Sequence, residues 1–245
     1  MIQVKFLGSG DAFGSGGRFN TCIMISAQGR NALVDCGASS LVAMRKYSVE
    51  PNSVSVILVS HLHGDHFGGI PFFILDAQLV SRREAPLLIV GPPGLEARIR
   101  QAIEVLFPGS SAIEQRFKLE FRELEPGLPT LVDEFTVTGF EVSHPCGDPP
   151  LALRMELGGK TITYSGDTEW CANLLPAARY ADLFIAEAYF YDKPVKFHLN
   201  FKTLEAQREA LGARRIVLTH MSRDMLERVS GLGWDYAEDG KVFEV

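Results

Sequence analysis

Three histidines and an aspartate fall within six residues of this chain, in the run Ser60-His61-Leu62-His63-Gly64-Asp65-His66. The preceding segment, 54–59, is almost entirely apolar and predicts a buried strand, while 67–70 indicates the beginning of a helix. The run therefore lies at the C-terminal end of a central strand, where open α/β sheets usually bind ligands. Imidazole and carboxylate groups suit borderline divalent transition metals, so the run predicts a metal site.

The spacing within this run predicts two neighbouring sites. His61 and His63 lie on the same side of an extended segment and can reach one metal. Asp65 and His66 then turn away and can reach a second, and Gly64 gives the backbone the freedom to wrap. The alternative, a surface turn that happens to contain histidines, is disfavoured by their density.

Bulk properties indicate one globular domain, residues 1–245, with an ordinary hydrophobic fraction of 46%. No segment approaches the ~18 continuous apolar residues of a membrane span, and the beginning, 1–6, lacks the zones of a signal peptide. We therefore expect a cytoplasmic protein with no membrane partner. The net charge of −6 gives no support for a broad nucleic-acid surface.

Hydrophobic periodicity predicts alternating strands and helices. Strands are predicted at 2–7, 21–26, 31–35, 54–59, 87–90, 117–124, 135–142, 151–157, 161–164, 183–186, 216–218 and 242–245, and helices at 38–46, 70–83, 95–106, 174–180, 201–211 and 224–229. The glycine-rich loop 8–17 matches no phosphate-binding motif and precedes a strand, so we interpret it as a hairpin connection at the rim of the site.

A weak internal repeat suggests two similar halves. Segment 58–65 resembles 217–224, and 33–37 loosely resembles 163–167. Two such halves packed sheet against sheet would give a four-layer αββα sandwich, an α/β (α+β) fold.

The remaining histidines also fall near predicted strand ends or helix starts. His144 follows the strand that ends at Val142, His220 follows 216–218, and Asp167 follows the strand that ends at Tyr164. A lone histidine in such a place is more often structural than a ligand, but the common placement favours one shared site.

Together these residues resemble the metallo-β-lactamase superfamily over nearly the whole chain, and the resemblance implies the αββα sandwich. It also implies that one metal is held by His61, His63 and His144, the other by Asp65, His66 and His220, and that Asp167 bridges both. True β-lactamases usually have a cysteine in place of Asp167, so the resemblance argues against antibiotic hydrolysis. The electron-transfer branch replaces a histidine of the first motif, which argues against oxygen chemistry. Two hydrolytic branches of the superfamily remain as candidates, the phosphodiesterases and the thioester hydrolases.

The segments Ala186-Glu187-Ala188 and His198-Leu199-Asn200 resemble the ribonuclease Z and phosphodiesterase branch. The resemblance implies that His198, oriented by Glu187, contacts the scissile phosphate or protonates the leaving oxygen. A purely structural pair is the alternative. Ribonuclease Z carries a long tRNA-binding arm between the equivalents of His144 and Asp167, and here only 145–166 intervenes. We therefore expect a small phosphodiester, such as a cyclic nucleotide, cyclic sugar phosphate or short oligonucleotide, rather than extended nucleic acid.

The expected mechanism uses two divalent metals roughly 3.5–4 Å apart that share a hydroxide, which attacks phosphorus. Asp65 is a ligand and can also accept the hydroxide's proton, and His198 donates to the leaving oxygen. Zinc suits the histidines best, and manganese or iron can occupy such sites.

Other interpretations stay open. Asp35 is expected to brace the ligands through hydrogen bonds. Tyr189 could stack on a base with Lys193 and Lys196 near phosphate, or these could belong to a packed loop with solvated lysines.

The rival functions are a glyoxalase-like thioester hydrolase, a tRNA 3′-processing endoribonuclease and a non-catalytic metal-binding or sensor protein. Related proteins are often dimers, so a homodimer is also left open.

Overall fold

Two seven-stranded sheets form the centre of the protein in the computed structural model, which describes residues 1–245. The first sheet contains β1 (Gln3–Gly8), β2 (Cys22–Ala27), β3 (Arg30–Val34), β4 (Val54–Leu58), β5 (Leu87–Gly91), β6 (Leu119–Glu123) and β14 (Val242–Glu244). The second contains β7 (Thr130–Val132), β8 (Phe135–Glu141), β9 (Leu151–Leu157), β10 (Lys160–Tyr164), β11 (Leu183–Glu187), β12 (Ile216–Thr219) and β13 (Asp235–Tyr236).

Helices cover the outer face of each sheet, which gives the four-layer αββα sandwich expected from the sequence. The helices are α1 (Ser40–Lys46), α2 (Gly64–Phe67), α3 (Ile70–Leu79), α4 (Leu95–Leu106), α5 (Leu174–Ala178), α6 (Phe201–Ala206), α7 (Arg208–Leu211) and α8 (Arg223–Leu226). One hydrophobic core lies between the two sheets, and each sheet has a further core between it and its helices. Strands such as β11 are buried throughout because both of their faces are covered. No helix is both long enough and apolar enough to cross a bilayer.

The two sheets have the same pattern of strand directions. In the order β14-β1-β2-β3-β4-β5-β6 the first three pairings are antiparallel and the last three parallel, and the order β7-β8-β9-β10-β11-β12-β13 repeats this pattern. By this equivalence β3 corresponds to β10, so the match of 33–37 with 163–167 joins equivalent strand ends. The match of 58–65 with 217–224 does not, because β4 corresponds to β11 and β12 corresponds to β5.

Most predicted elements are confirmed within a few residues, and the differences are local. The helix predicted to begin within 67–70 is preceded by a separate short helix, because α2 ends at Phe67 and α3 begins at Ile70. The helix predicted over 201–211 is divided at Gln207 into α6 and α7. The edge strands β7 and β13 were not predicted, because three and two residues are too short to show an alternating pattern.

Candidate metal centre

The predicted ligands converge at one end of the two sheets, in two groups. Ligand atoms of the first group lie within 4.8 Å of one another, and those of the second group do so as well. The first group is His61, His63 and His144, and the second is Asp65, His66, Asp167 and His220. The structure therefore brings together all seven residues that the sequence suggested.

Helix α2 places Asp65 and His66 by packing its backbone against the loop after β3. The Cys36 amide donates to the His66 carbonyl at 2.6 Å, and the Gly69 amide donates back to the Cys36 carbonyl at 2.8 Å. Gly37 makes this approach feasible, since a Cβ atom there would lie 2.1 Å from the Asp65 carbonyl oxygen. The other ligands follow β8, β10 and β12, so both sheets contribute to the site.

Hydrogen bonds behind the imidazoles determine which ring nitrogen faces the site. The Ser60 hydroxyl donates to Asp35 Oδ2 at 2.8 Å, so it accepts from His61 Nδ1 at 3.1 Å. His66 Nδ1 lies 2.7 Å from the same carboxylate oxygen and donates to it. His144 Nδ1 donates to the Phe197 carbonyl at 2.9 Å. Each of these rings therefore presents an Nε2 lone pair to the site, as metal-binding histidines do.

The centre of the site contains polar atoms that the protein itself does not satisfy. His61 Nε2, His66 Nε2 and Asp167 Oδ1 are buried and have no hydrogen-bond partner. Buried groups without partners are rare in proteins and ask for a specific reason. Bound divalent cations would satisfy this set of nitrogen and oxygen donors, so the residues fit a pair of metal ions.

The electrostatics of the site also favour cations. Burial lowers the pKa of His220, but the carboxylates of Asp167, Asp65 and Glu187 outweigh this effect and raise the pKa to about 10. Burial raises the pKa of Asp167, yet the facing histidines hold it well below its usual value. By contrast, burial and the neighbouring His66 lower the pKa of His61 well below its usual value, which keeps this imidazole neutral and able to bind a metal. The carboxylates therefore draw positive charge into the site.

Glu187 and His198 form a closely hydrogen-bonded pair beside the two groups. His198 Nδ1 lies 2.5 Å from Glu187 Oε1, and Glu187 Oε2 accepts from the amides of Thr168 at 2.9 Å and Leu199 at 3.2 Å. The pKa of His198 is raised, since the bond to Glu187 outweighs partial burial. Glu187 and His198 also form, with Asp167 and His220, a further group of donor atoms within 4.8 Å. Because the Glu187 oxygens already accept several hydrogen bonds, its carboxylate is better suited to orienting His198 than to binding a metal.

A cavity of about 180 Å³ opens above the ligands. Its walls are formed by Asp11, Ala12, Phe13, His63, Asp65, His144, Asp167, Tyr189, His198 and His220. Tyr189, a predicted substrate contact, is therefore one of the wall residues. The other two predicted contacts, Lys193 and Lys196, are exposed outside the cavity wall, and Lys193 lies over the Phe190 ring.

Residues 2–242 match the family model described as Anti-Pycsar protein Apyc1. The chain belongs to this family. The Apyc1 family match covers thirteen of the fourteen strands in full and every residue of the candidate metal centre.

Ribonuclease Z and other proteins with the metallo-β-lactamase fold resemble this Apyc1-family chain over its full length. Ribonuclease Z of Methanosarcina acetivorans is 29% identical over 296 residues, which cover all of this chain and 94% of that protein. The crystal structure of human tRNase Z, short form, is 25% identical, covers 99% of both chains and has a TM-score of 0.81. The metallo-β-lactamase fold protein YhfI from Bacillus subtilis covers both chains completely at 22% identity, with a TM-score of 0.78. The protein is a metal-dependent hydrolase with the metallo-β-lactamase fold, similar to ribonuclease Z.

Sequence reasoning missed several residues around the site of this Apyc1-family protein. Ser60 links His61 to Asp35, and its position directly before the histidine run was the available signal. Asp11 and Phe13 line the cavity from the glycine-rich loop, which the sequence placed at the rim without assigning residues.

Asp35 was expected to brace the ligands, and the structure places it against His66 and Ser60.

Proposed function

We propose that the protein is a phosphodiesterase that hydrolyses a small phosphodiester or short nucleotide. The observation that carries this proposal is the Glu187–His198 pair, whose histidine lines the cavity beside both ligand groups. An acid held beside the metals suits a reaction with a poor alkoxide leaving group. A thioester hydrolase has less need for it, since a thiolate leaves without a proton.

The size of the site supports a small substrate. The cavity of about 180 Å³ is smaller than the roughly 300–1,000 Å³ typical of sites that enclose a drug-sized ligand. Between His144 and Asp167 the chain has only a short loop and the β9–β10 hairpin. The alignment with the M. acetivorans ribonuclease Z spans 296 positions against 245 residues here, so 51 of its positions have no counterpart in this chain. This difference fits the absence of a tRNA-binding arm.

Each group of the site has a distinct role in the proposed reaction. The two ligand groups would hold two divalent cations, most simply zinc because imidazole predominates, although manganese or iron can use the same donors. Bound metals would activate a water and neutralise charge on the phosphoryl oxygens. Asp65 Oδ2 lies 3.2 Å from both His66 Nε2 and His220 Nε2, and in this proposal Asp65 would accept a proton from the attacking water.

His198 acts on the other side of the reaction. Its Nδ1 proton is committed to Glu187, so its Nε2 is the nitrogen available for the substrate. Glu187 favours the protonated imidazole, which can donate to the leaving oxygen or to the phosphate. Buried Glu187 therefore acts as a positioning residue. We further propose that all 245 residues act as one domain.

The test is a hydrolysis screen of the intact protein reconstituted separately with zinc, manganese and iron. The substrates are bis(p-nitrophenyl) phosphate, cyclic nucleotides, a glutathione thioester and a tRNA precursor. We expect turnover of the phosphodiesters, highest for cyclic nucleotides and lowest for the tRNA precursor. Turnover of the thioester alone would establish the glyoxalase-like alternative, and preferred cleavage of the tRNA precursor would establish the endoribonuclease. Metal binding without any turnover would indicate a binding or sensor protein.

A further inference from the structure

Phe13 is an exposed aromatic residue at the mouth of the cavity. Its side chain lines the cavity, yet 82% of the residue is exposed to solvent. The other aromatic wall residue, Tyr189, is half-buried and packs against His198 with 4.9 Å between ring centroids. Burying aromatic surface is a main source of folding stability, so Phe13 contributes little to the fold in its present position. An aromatic surface left open at a ligand site is available to a ligand.

The loop that carries Phe13 is anchored by hydrogen bonds to two aspartates, Asp11 and Asp239. Asp11 is fully buried, and its Oδ1 accepts from the amides of Phe13 at 3.2 Å and Ser15 at 2.9 Å. Its Oδ2 accepts from the Ser15 hydroxyl at 2.7 Å, and its carbonyl accepts from Asn20 Nδ2 at 3.0 Å. Asp239, near the other end of the chain, accepts from the Ser9 and Phe19 amides at 2.9 and 2.8 Å. The Phe13 backbone is therefore held in place before any ligand arrives.

The cavity is divided into a polar floor and an aromatic mouth. The floor consists of metal-ligand candidates and His198, which suit a phosphodiester, and the mouth presents the Phe13 ring. Since the cavity measures only about 180 Å³, the part of a nucleotide beyond its phosphodiester must extend to the mouth. A nucleobase has a flat π-face that stacks on aromatic side chains without regard to base identity.

We infer that Phe13 is the platform on which the aromatic base of the substrate stacks, so that it sets affinity for base-bearing phosphodiesters. This inference rests on the proposed phosphodiesterase function. The ring lies at the mouth, away from the proposed reacting centre, so its contact is made equally in the ground state and the transition state. Such uniform binding changes KM and leaves kcat alone.

The test compares two substrates of the metal-loaded enzyme, a cyclic nucleotide and a cyclic ribose phosphate that lacks the base. Phe13→Ala should raise KM for the cyclic nucleotide roughly 5- to 150-fold, the range of base–aromatic stacking, with kcat unchanged. KM for the base-free substrate should stay within about twofold. Phe13→Trp should restore the lower KM because tryptophan also offers a flat ring. The matched control is Tyr180→Ala, which removes an aromatic residue that is 67% exposed and precedes β11 at the end of the sheet opposite the site.

The outcomes separate this inference from the function on which it rests. If the wild-type enzyme hydrolyses the cyclic nucleotide and Phe13→Ala leaves the KM for it unchanged, the inference that the base stacks on Phe13 is wrong, while the phosphodiesterase proposal stands. Equal KM increases for both substrates would also overturn it, because the base would not be the contacted group. If the wild-type enzyme hydrolyses neither substrate, the proposed function fails and the inference fails with it.

Discussion

Asp35 controls the orientation of the histidines although it has no contact with the cavity. Its two carboxylate oxygens accept from the Ser60 amide and hydroxyl and from His66 Nδ1, all within 2.8 Å. Its backbone is in the left-handed region at φ 58°, which asparagine tolerates better than alanine. A carboxylate behind a metal-binding imidazole also makes the ring a better ligand.

We therefore predict that Asp35→Asn weakens metal affinity about 10- to 100-fold while the protein remains folded. The amide keeps the backbone conformation but offers one acceptor oxygen where two are used now. Competition with a chelator would measure the affinity, and circular dichroism would check the fold. Asp133→Asn is the matched control, because Asp133 also has a positive φ, of 53°, but lies in a turn far from the site. Equal affinities of the two variants would show that Asp35 has no role in metal binding.

His198 is expected to separate catalysis from metal binding. His198→Ala should lower kcat by about 10²- to 10⁴-fold, the usual contribution of a positioned acid or base, and leave the metal content intact. His63→Ala should abolish hydrolysis because it removes a proposed ligand. Elemental analysis alongside kinetics distinguishes the two effects. Loss of metal from His198→Ala would instead assign His198 to the ligand group that it forms with Asp167, Glu187 and His220.

At the scale of elements, the loop after β3 and the short helix α2 hold each other in place. α2 has only four residues, too few to be stable alone, so its position depends on the backbone bonds from Cys36 and Gly69. Gly37 lies at the closest approach, where a Cβ atom would lie 2.1 Å from the Asp65 carbonyl oxygen and 2.6 Å from Asn20 Cβ. A methyl group there must displace α2.

Gly37→Ala should therefore destabilise the protein by about 1–3 kcal/mol, the usual cost of overpacking, and should also weaken metal binding because Asp65 and His66 move. Urea unfolding would measure the first effect and a metal titration the second. Gly231→Ala is the control, since a Cβ atom at that position would meet nothing within 4 Å. A destabilisation below about 0.5 kcal/mol, which is typical of neutral surface changes, would mean that the contact is not as tight as described.

The sequence predicted the long elements well because their hydrophobic periods extend over many residues. It failed for β7, β13 and α2, which owe their conformation to neighbours rather than to a pattern of their own. It also paired the strand end of β4 with that of β12, since a shared Ser/Thr-His motif carries no information about strand order.

The dense histidine run after β4 was enough to predict a metal site, and the resemblance to the metallo-β-lactamase superfamily implied the full set of proposed ligands. The arrangement of these ligands could not be predicted, since the hydrogen bonds from Ser60 and Asp35 depend on how β3 and β4 pack side by side. Likewise, Phe13 is one of 16 phenylalanines, and only the folded loop shows that it lies at the cavity mouth.

At the scale of the whole molecule, the candidate metal centre contains residues from two sheets that have the same pattern of strand directions. The first sheet supplies the histidine run after β4, and the second supplies His144, Asp167 and His220 after β8, β10 and β12. A metal that binds residues of both sheets binds only when the sheets are assembled. Its binding free energy therefore adds to the free energy of unfolding.

Metal removal should lower the melting temperature of the whole protein. A ligand present at 100 times its Kd stabilises the folded state by about 2.7 kcal/mol. For a chain of this size each kcal/mol corresponds to roughly 2–4 °C, so chelation should lower Tm by about 5–10 °C. Differential scanning calorimetry with EDTA, followed by readdition of zinc or manganese, would measure the change and its reversal.

A double variant, His63→Ala with His66→Ala, should show no response to either treatment. If EDTA strips the metal from the wild-type protein without changing Tm, the two sheets do not depend on a shared metal centre. The unpartnered atoms of His61, His66 and Asp167 would then need another explanation.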